Sequence, residues 1–482
     1  MLRRISRFFC LVFLALSAAT GCQPAGEQTA APQPAAAPVK REPVRLLIID
    51  DAGLATAIPR QWESRADREL IVRQMTSQEL IALRTKRLAA DAIVYPSGLL
   101  GELASREWIE PLHTETLRND LFARRDLFEM QRLREVTWGR EVAAVSFGSP
   151  QFTLMYRRDM FEKLGLTPPQ TWGEYQRCAE RLADRQKLGD LAPPQDKPWS
   201  AVIEPLGDGW AGQLLLARAA AYAQHRSQFS TLFDYRDMKP LVGGPPFVRA
   251  LKELVAASKQ FPATAAQMGP NEARREFFSG RCAMALTWPS RADDQSAEGS
   301  TVPAAFAELP GSVDAYNFRT ESWEPRGDAA DQRVTLAAVA GRLGSVTREC
   351  REPLVAANLL LWVTGKLSVD ICPESKAGTL FRESHMPQAS RWLDRQLDDV
   401  AAKSYSEAVR DAQNRTAWVA SVRIAGRMQY LAALDQAVRD AMSGSDSAEA
   451  LKKAAAAWDK ITETAGRTAQ REAYMRSVGL EP

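Results

Sequence analysis

Residues Leu154–Leu182 read LMYRRDMFEKLGLTPPQTWGEYQRCAERL, and this stretch decides the architecture. Phe152 to Arg157 favours a strand, and a short helix over Asp159–Leu164 follows at once. Gly165 suits a left-handed C-terminal cap, and Pro168-Pro169 prevents that helix from continuing. Thr171 is a fitting N-cap, with Glu174 at the capping-box position. A chain that turns from strand to helix to a second helix within thirty residues is leaving one sheet and starting another layer. Trp172, at the second helix start, is read as a packing residue.

Outward from this stretch, strand and helix alternate. RLLIID, ELIVRQM and DAIVYP read as strands, each followed by a helix: around Ile58–Ala66, over Ser77–Ala90 and over Ser97–Trp108. That rhythm implies a parallel α/β sheet. Ligands of such sheets bind outside the strands' carboxyl ends, where Asp50, Asp51, Tyr95 and Ser97 stand. AAVSFGS and FTLMYR are two strands separated by Gly148-Ser149-Pro150. Beyond them lie the strand, glycine-rich loop and apolar helix of PWSAVIEPLGDGWAGQLLLARAAAYA. The amphipathic helix FVRALKELVAASKQF and the helix–turn–strand EARREFFSGRCAMALTWPS follow. VTLAAVAGRL reads as a strand, EPLVAANLLLWVTGK as a helix, and Arg427–Gly466 as helical with a break at SGSDS.

With 482 residues the chain exceeds one simple core, so at least two globular units are expected. A net charge of +3 without a basic block gives no support to nucleic-acid binding. Arg3, Arg4 and Arg7 precede the short apolar run Phe8–Leu16, the pattern of a signal peptide (1–21). Ala19-Thr20-Gly21-Cys22 resembles the lipobox of bacterial lipoproteins, which implies lipidation at Cys22 and attachment to a membrane. Ala19 stands where that motif usually has Leu. Cleavage after Ala19 by the ordinary signal peptidase is the other reading. The Ala/Pro-rich residues 22–43 cannot build a core and form a tether. Of the remaining cysteines, Cys178 and Cys282 fall on apolar faces, and Cys350 with Cys372 is the pair close enough in sequence to consider for a disulfide. His113, His225 and His385 are scattered, without metal spacing, and no cofactor is expected.

The segment order resembles the extracellular solute-binding proteins of ABC importers, the family that includes maltose-binding protein, from Val44 to about Thr464. Leu154–Leu182 is its most specific piece, although Arg157 and Arg158 replace the usual Asn and Lys. EFFSGRCAMALTWPS and the tail RMQYLAALDQAVRDAMSGSDSAEALKKAAAAWDKIT follow in the family's order. The resemblance implies a two-lobed, type II periplasmic-binding-protein-like α/β fold, each lobe a mainly parallel sheet flanked by helices, joined by crossovers and closing over a ligand by a hinge. Lobe I would comprise 44–148 and 333–408, and lobe II 153–332 and 409–482, with Gly148, Ser149 and Pro150 as hinge.

A sugar cleft needs aromatic faces and carboxylates or amides. The candidates are Asp50, Asp51, Tyr95, Ser97, Glu204, Trp210, Trp288, Trp323 and Tyr430. Asp51 could equally cap the following helix, Tyr95 could pack at a sheet edge and Glu204 could be solvated. Trp62, Trp108, Trp362 and Trp458 lie on apolar helical faces and read as core. The expected function is a membrane-anchored, monomeric receptor that passes a small solute, a sugar or oligosaccharide, to ABC permease subunits. A sensor or scaffold without a transporter is the alternative. A glycan-active enzyme finds no support, because G-x-S-x-G, H-E-x-x-H and a phosphate loop are all missing.

Overall fold

The computed structural model describes residues 41–63, 68–293, 302–327, 332–365 and 367–482. The expected signal peptide, most of the expected tether and Cys22 lie outside the described residues. No single described helix is long and apolar enough to cross a membrane.

Two sheets organise the molecule. The first runs Leu70–Met75, Val44–Ile49, Ala92–Pro96, Arg342–Val346, Val145–Ser146. Its first three strands are parallel, with Leu47 opposite Ile93, while Arg342–Val346 returns antiparallel to Ala92–Pro96. Strands buried on both faces read as continuous apolar runs, as LLII and AIV do here. The second sheet runs Ala304–Glu308, Thr153–Arg157, Cys282–Thr287, Ser200–Ile203, and it is not mainly parallel as expected. Thr153–Arg157 is antiparallel to both its neighbours, and only Ser200–Ile203 pairs in parallel, with Cys282–Thr287. The chain leaves the first sheet through Phe147–Phe152, builds the second, and comes back through Thr335–Gly341. Residues Thr335–Ala337 pair in parallel with Trp418–Ala420, so two crossing segments run side by side.

The opening stretch is that passage. Strand Thr153–Arg157 is followed by helix Arg158–Lys163, then by helix Trp172–Leu182. Thr171 accepts from the Glu174 amide at 3.3 Å, whereas the Glu174 carboxylate turns to the Gln170 amide at 2.7 Å. Trp172 is buried, edge-on to Tyr175 and under the Arg218 guanidinium at 4.1 Å.

Several expectations are corrected. The helix expected over Ser77–Ala90 ends at Ala82, where Arg106 caps the Ile81 and Leu83 carbonyls at 2.8 and 3.0 Å. VTLAAVAGRL is two strands, broken where Ala338 takes a φ of +59°. The cut at 408/409 falls inside helix Asp399–Gln413, which packs on strand Ala304–Glu308 of the second sheet through Tyr405 against Phe306. Segment 333–408 therefore does not belong wholly to lobe I. Nor does 409–482 belong wholly to lobe II, because helix Arg467–Ser477 touches Leu100–Ser105 beside the first sheet. Cys178, Cys282, Cys350 and Cys372 are all free thiols, so Cys350 and Cys372 are not bridged.

Candidate functional site

Outside the carboxyl ends of the first three strands lies a cleft of about 1120 Å³, walled on its other side by Trp210, Asn271 and Trp288. Loops gather here because a parallel sheet puts all its strand-to-helix turns at one edge.

Asp50 and Asp51 both line the cleft. Asp50 takes a φ of +52°, a conformation Asp tolerates better than most residues, and its carboxylate accepts the Ser77 amide at 3.1 Å and the Ser77 hydroxyl. Asp51 caps helix Ala52–Trp62 by accepting from the Leu54 amide at 3.0 Å. Its second oxygen accepts the Ser375 hydroxyl at 2.5 Å and pairs with Arg342 at 3.0 Å. Arg342 also donates to the Asp50 carbonyl at 2.8 Å. Ser375 can come this close because Gly53 has no Cβ; one there would lie 1.8 Å from the Glu374 carbonyl oxygen. Nearby, Glu79 closes a capping box with Thr76, whose amide hydrogen bond holds the Glu79 carboxyl below its usual range.

Trp210 and Trp288 form the aromatic wall, and Phe152 packs against both from outside the cleft. Trp210 and Trp288 are 5.6 Å apart between ring centroids, and Phe152 lies 6.2 and 5.7 Å from them. Trp210 is half-buried with a face toward the cleft, whereas Trp288 is 3% exposed and backs it. The Trp288 indole donates to the Lys376 carbonyl at 3.2 Å, and its own carbonyl accepts from Arg274 at 3.0 Å. Behind Trp210, Asp435 accepts the Gly209 and Gly212 amides at 2.7 Å each, fixing the start of helix Ala211–Ala223. Burial raises the Asp435 carboxyl above its ordinary range, against those two hydrogen bonds.

Five candidates lie elsewhere. Tyr95 is fully buried between the sheet and its helices, sharing a 2.8 Å hydrogen bond with Ser345, and does not line the cleft. Ser97 is likewise buried just below it. Glu204 is inside the second lobe, accepting from Arg218 at 3.0 Å and from the Tyr175 hydroxyl at 2.8 Å. Tyr430 is core, bonded to Thr462 at 2.9 Å and packed on Trp458 and Phe233, and burial pushes its hydroxyl up to about 12. Trp323 stacks under Arg249 at 4.8 Å in a separate surface hollow.

The cleft also contains residues that sequence reasoning missed. Arg342 has no local signature; it reaches Asp50 and Asp51 only because its strand returns from the other lobe. Arg427 lies at the start of helix Arg427–Met442, donating to the Ala338 and Val339 carbonyls at 3.1 and 3.3 Å. Burial, helped by neighbouring Arg423 and opposed by Glu135, pushes its guanidinium down to about 10. Among the described residues, no group of three or more His, Cys, Asp or Glu is placed to hold a metal ion.

At the proposed hinge, Gly148 has a φ of +104° and its backbone lies against Thr379. Ser149 donates to the buried Glu135 carboxylate at 2.9 Å, and the same oxygen accepts the Ala338 amide at 2.6 Å. Both crossing segments thus meet at Glu135.

A search of curated protein sequences finds no match. Solved structures share the fold. A solute-binding protein of an ABC transporter from Agrobacterium radiobacter K84, in complex with ribitol, has a TM-score of 0.63 at 17% identity, over 87% of this chain and 98% of that one. Maltose-bound MalE3 of T. maritima gives 0.63 at 16%, over 87% and 100%. The sugar-binding protein MalE of Xanthomonas citri gives 0.64 at 15%, over 88% and 98%. These likenesses establish a two-lobed periplasmic-binding-protein fold. Residues 76–325 match the family described as bacterial extracellular solute-binding protein. The chain belongs to that family of extracellular solute-binding proteins.

Proposed function

We propose that the protein captures a carbohydrate or polyol in the cleft between its sheets and delivers it to an ABC-type permease, as a monomer held to a membrane by a lipid on Cys22. Ligand contact falls to Asp50, Asp51 and Trp210, with Trp288 supporting Trp210 from behind.

The observation that carries this reading is the juxtaposition of an indole face at Trp210 with a rim of carboxylates and amides across the cleft. A pyranose presents apolar C–H faces and a belt of hydroxyls, and that pairing suits both. Similar folds solved with ribitol, maltose and D-mannitol bound support the same ligand class. A binding role, rather than catalysis, is supported by the state of the cleft acids. Of the five acids that line the cleft, four are engaged: Asp51 with a helix cap and Arg342, Asp50 with Ser77, Glu79 with its capping box, and Glu272 with the Gly269 amide and Arg275. No pair of them therefore stands free for general acid and base work.

Thermal unfolding of residues 42–482 against sugars, polyols, amino acids and polyamines tests it. A ligand binding only the native state raises the midpoint in proportion to the logarithm of its concentration above Kd. A rise of several degrees with one sugar or polyol class is expected. A response confined to amino acids or polyamines would overturn the reading.

A further inference from the structure

The cleft does not end at Met428. A second hollow of about 820 Å³ lies beyond it, between the helices Ser77–Ala82 and Leu100–Ser105 of the first lobe and the helix Ser447–Ala465 of the tail. Leu99, Arg427 and Met428 line both spaces. Met428 therefore stands between them, and it is 42% exposed although apolar. Arg427 beside it is locked by carbonyls, but Met428 has no such anchor, and an unbranched thioether adapts to what lies against it.

The second hollow has the same mixed chemistry as the first. Ile81, Ala82, Ala457 and Ile461 give it an apolar floor. Gln78, Arg84, Gln429 and Lys460 rim it, and none of these side chains has a hydrogen-bond or ion-pair partner within the described residues. By contrast, Glu102 and Arg106 in the same wall satisfy each other at 2.7 Å. Single ligand sites are commonly about 300–1,000 Å³. The first chamber alone exceeds the upper end of that range, and the second adds a further site's worth of space.

Resting on the carbohydrate reading, we infer that the ligand is an extended oligosaccharide whose chain passes over Met428, with further sugar units in the second hollow held by Gln78, Gln429 and Lys460. A monosaccharide or polyol would fill only the first chamber.

The test is calorimetric titration of residues 42–482 with linear glucose, mannose, xylose and galactose oligomers of one to six units, alongside ribitol and D-mannitol. In the series that binds, Kd is expected to tighten by about tenfold or more between two and five units, which is about 1.4 kcal/mol or more. Ala457→Trp and Ala82→Trp fill the second hollow from opposite walls without lining the first. Each should erase that gain while leaving the Kd of the shortest binding oligomer, and the melting temperature, unchanged. Affinity that is flat with length, or a length gain untouched by both variants, would overturn the second chamber but leave the carbohydrate reading standing. Failure of every sugar and polyol would overturn both.

Discussion

Trp210 and Trp288 are neighbours in space and nearly equivalent as sequence signals, yet their exposure separates their roles. Trp210→Ala removes the half-exposed indole face and should weaken ligand binding by about tenfold, a loss in the usual range for an aromatic contact, with little change in melting temperature. Trp288→Ala empties a buried site, costing about 3–5 kcal/mol of stability by urea unfolding. A Trp210 variant that unfolds early and binds normally would reverse the assignment. His385 gives a second prediction at this scale. It is buried against Phe381 and Trp392, bonded to Ser368 at 3.0 Å, and faces Arg382 and Asp126. Burial, aided by Arg382 and opposed by Asp126, holds its imidazole down at about 3. The unfolded chain protonates near pH 6.5 and the folded one does not, so stability is present above that pH and lost as pH falls toward 3. The stability advantage of the wild type over His385→Gln should shrink by about 2–3 kcal/mol between pH 7 and pH 4.5. Individual site residues were the least legible part of the sequence. Glu204, ending a strand before a glycine-rich loop, looks the same whether it faces a ligand or Arg218, and Arg218 lies a helix away. Tyr95 and Tyr430 mislead for a related reason: a tyrosine at an element end serves a cleft or a core depending on which side the neighbouring layer covers.

Elements were far more legible, because their signals are local. The break at Gly165, the Pro168-Pro169 turn and the Thr171 cap all stand where local rules put them. What failed were element ends set by distant partners, such as the helix that stops at Ala82 under Arg106. Helix Asp399–Gln413 failed as a boundary because its apolar face meets a strand nearly a hundred residues earlier. The crossing segment at Gly148 combines both kinds of information. Its Gly-Ser-Pro sequence announces a turn, but only the fold shows that a Cβ at Gly148 would lie 2.5 Å from the Thr379 carbonyl oxygen. Gly148→Ala therefore meets an unfavourable φ and a backbone clash together, and should lower stability by about 1–3 kcal/mol in urea. Because Ser149 and Ala338 share Glu135, the strain should also appear as a changed ligand Kd. Unchanged stability would mean that this segment relaxes freely.

At the scale of the whole molecule, the two sheets are held by more than their crossing segments. The last helix, Arg467–Ser477, works as a strap between lobes. On the second-lobe side, the Tyr474 hydroxyl accepts from Ser230 at 3.0 Å, its ring packs 5.1 Å from Phe233, and Arg467 donates to the Asp237 carbonyl at 2.8 Å. On the first-lobe side, the Arg476 carbonyl accepts the Gly139 amide at 2.9 Å, and Glu481 accepts the Arg140 amide at 2.9 Å. Nothing in the helix's own sequence announces this; RTAQREAYMRS is polar and short, and its partners lie more than two hundred residues away. A chain ending at Gly466 keeps both sheets and the cleft lining, but loses the strap and the burial of Tyr474 and Met475, about 1.5–3 kcal/mol for each fully buried side chain. Its expected behaviour is a larger radius of gyration without ligand, by small-angle scattering, and a melting curve that separates into two transitions. Ligand binding should then recover part of the compaction, since a solute touching both walls of the cleft substitutes for the lost bridge. A truncated chain as compact as the full one, melting in a single transition, would show that the crossing segments alone set the lobe arrangement.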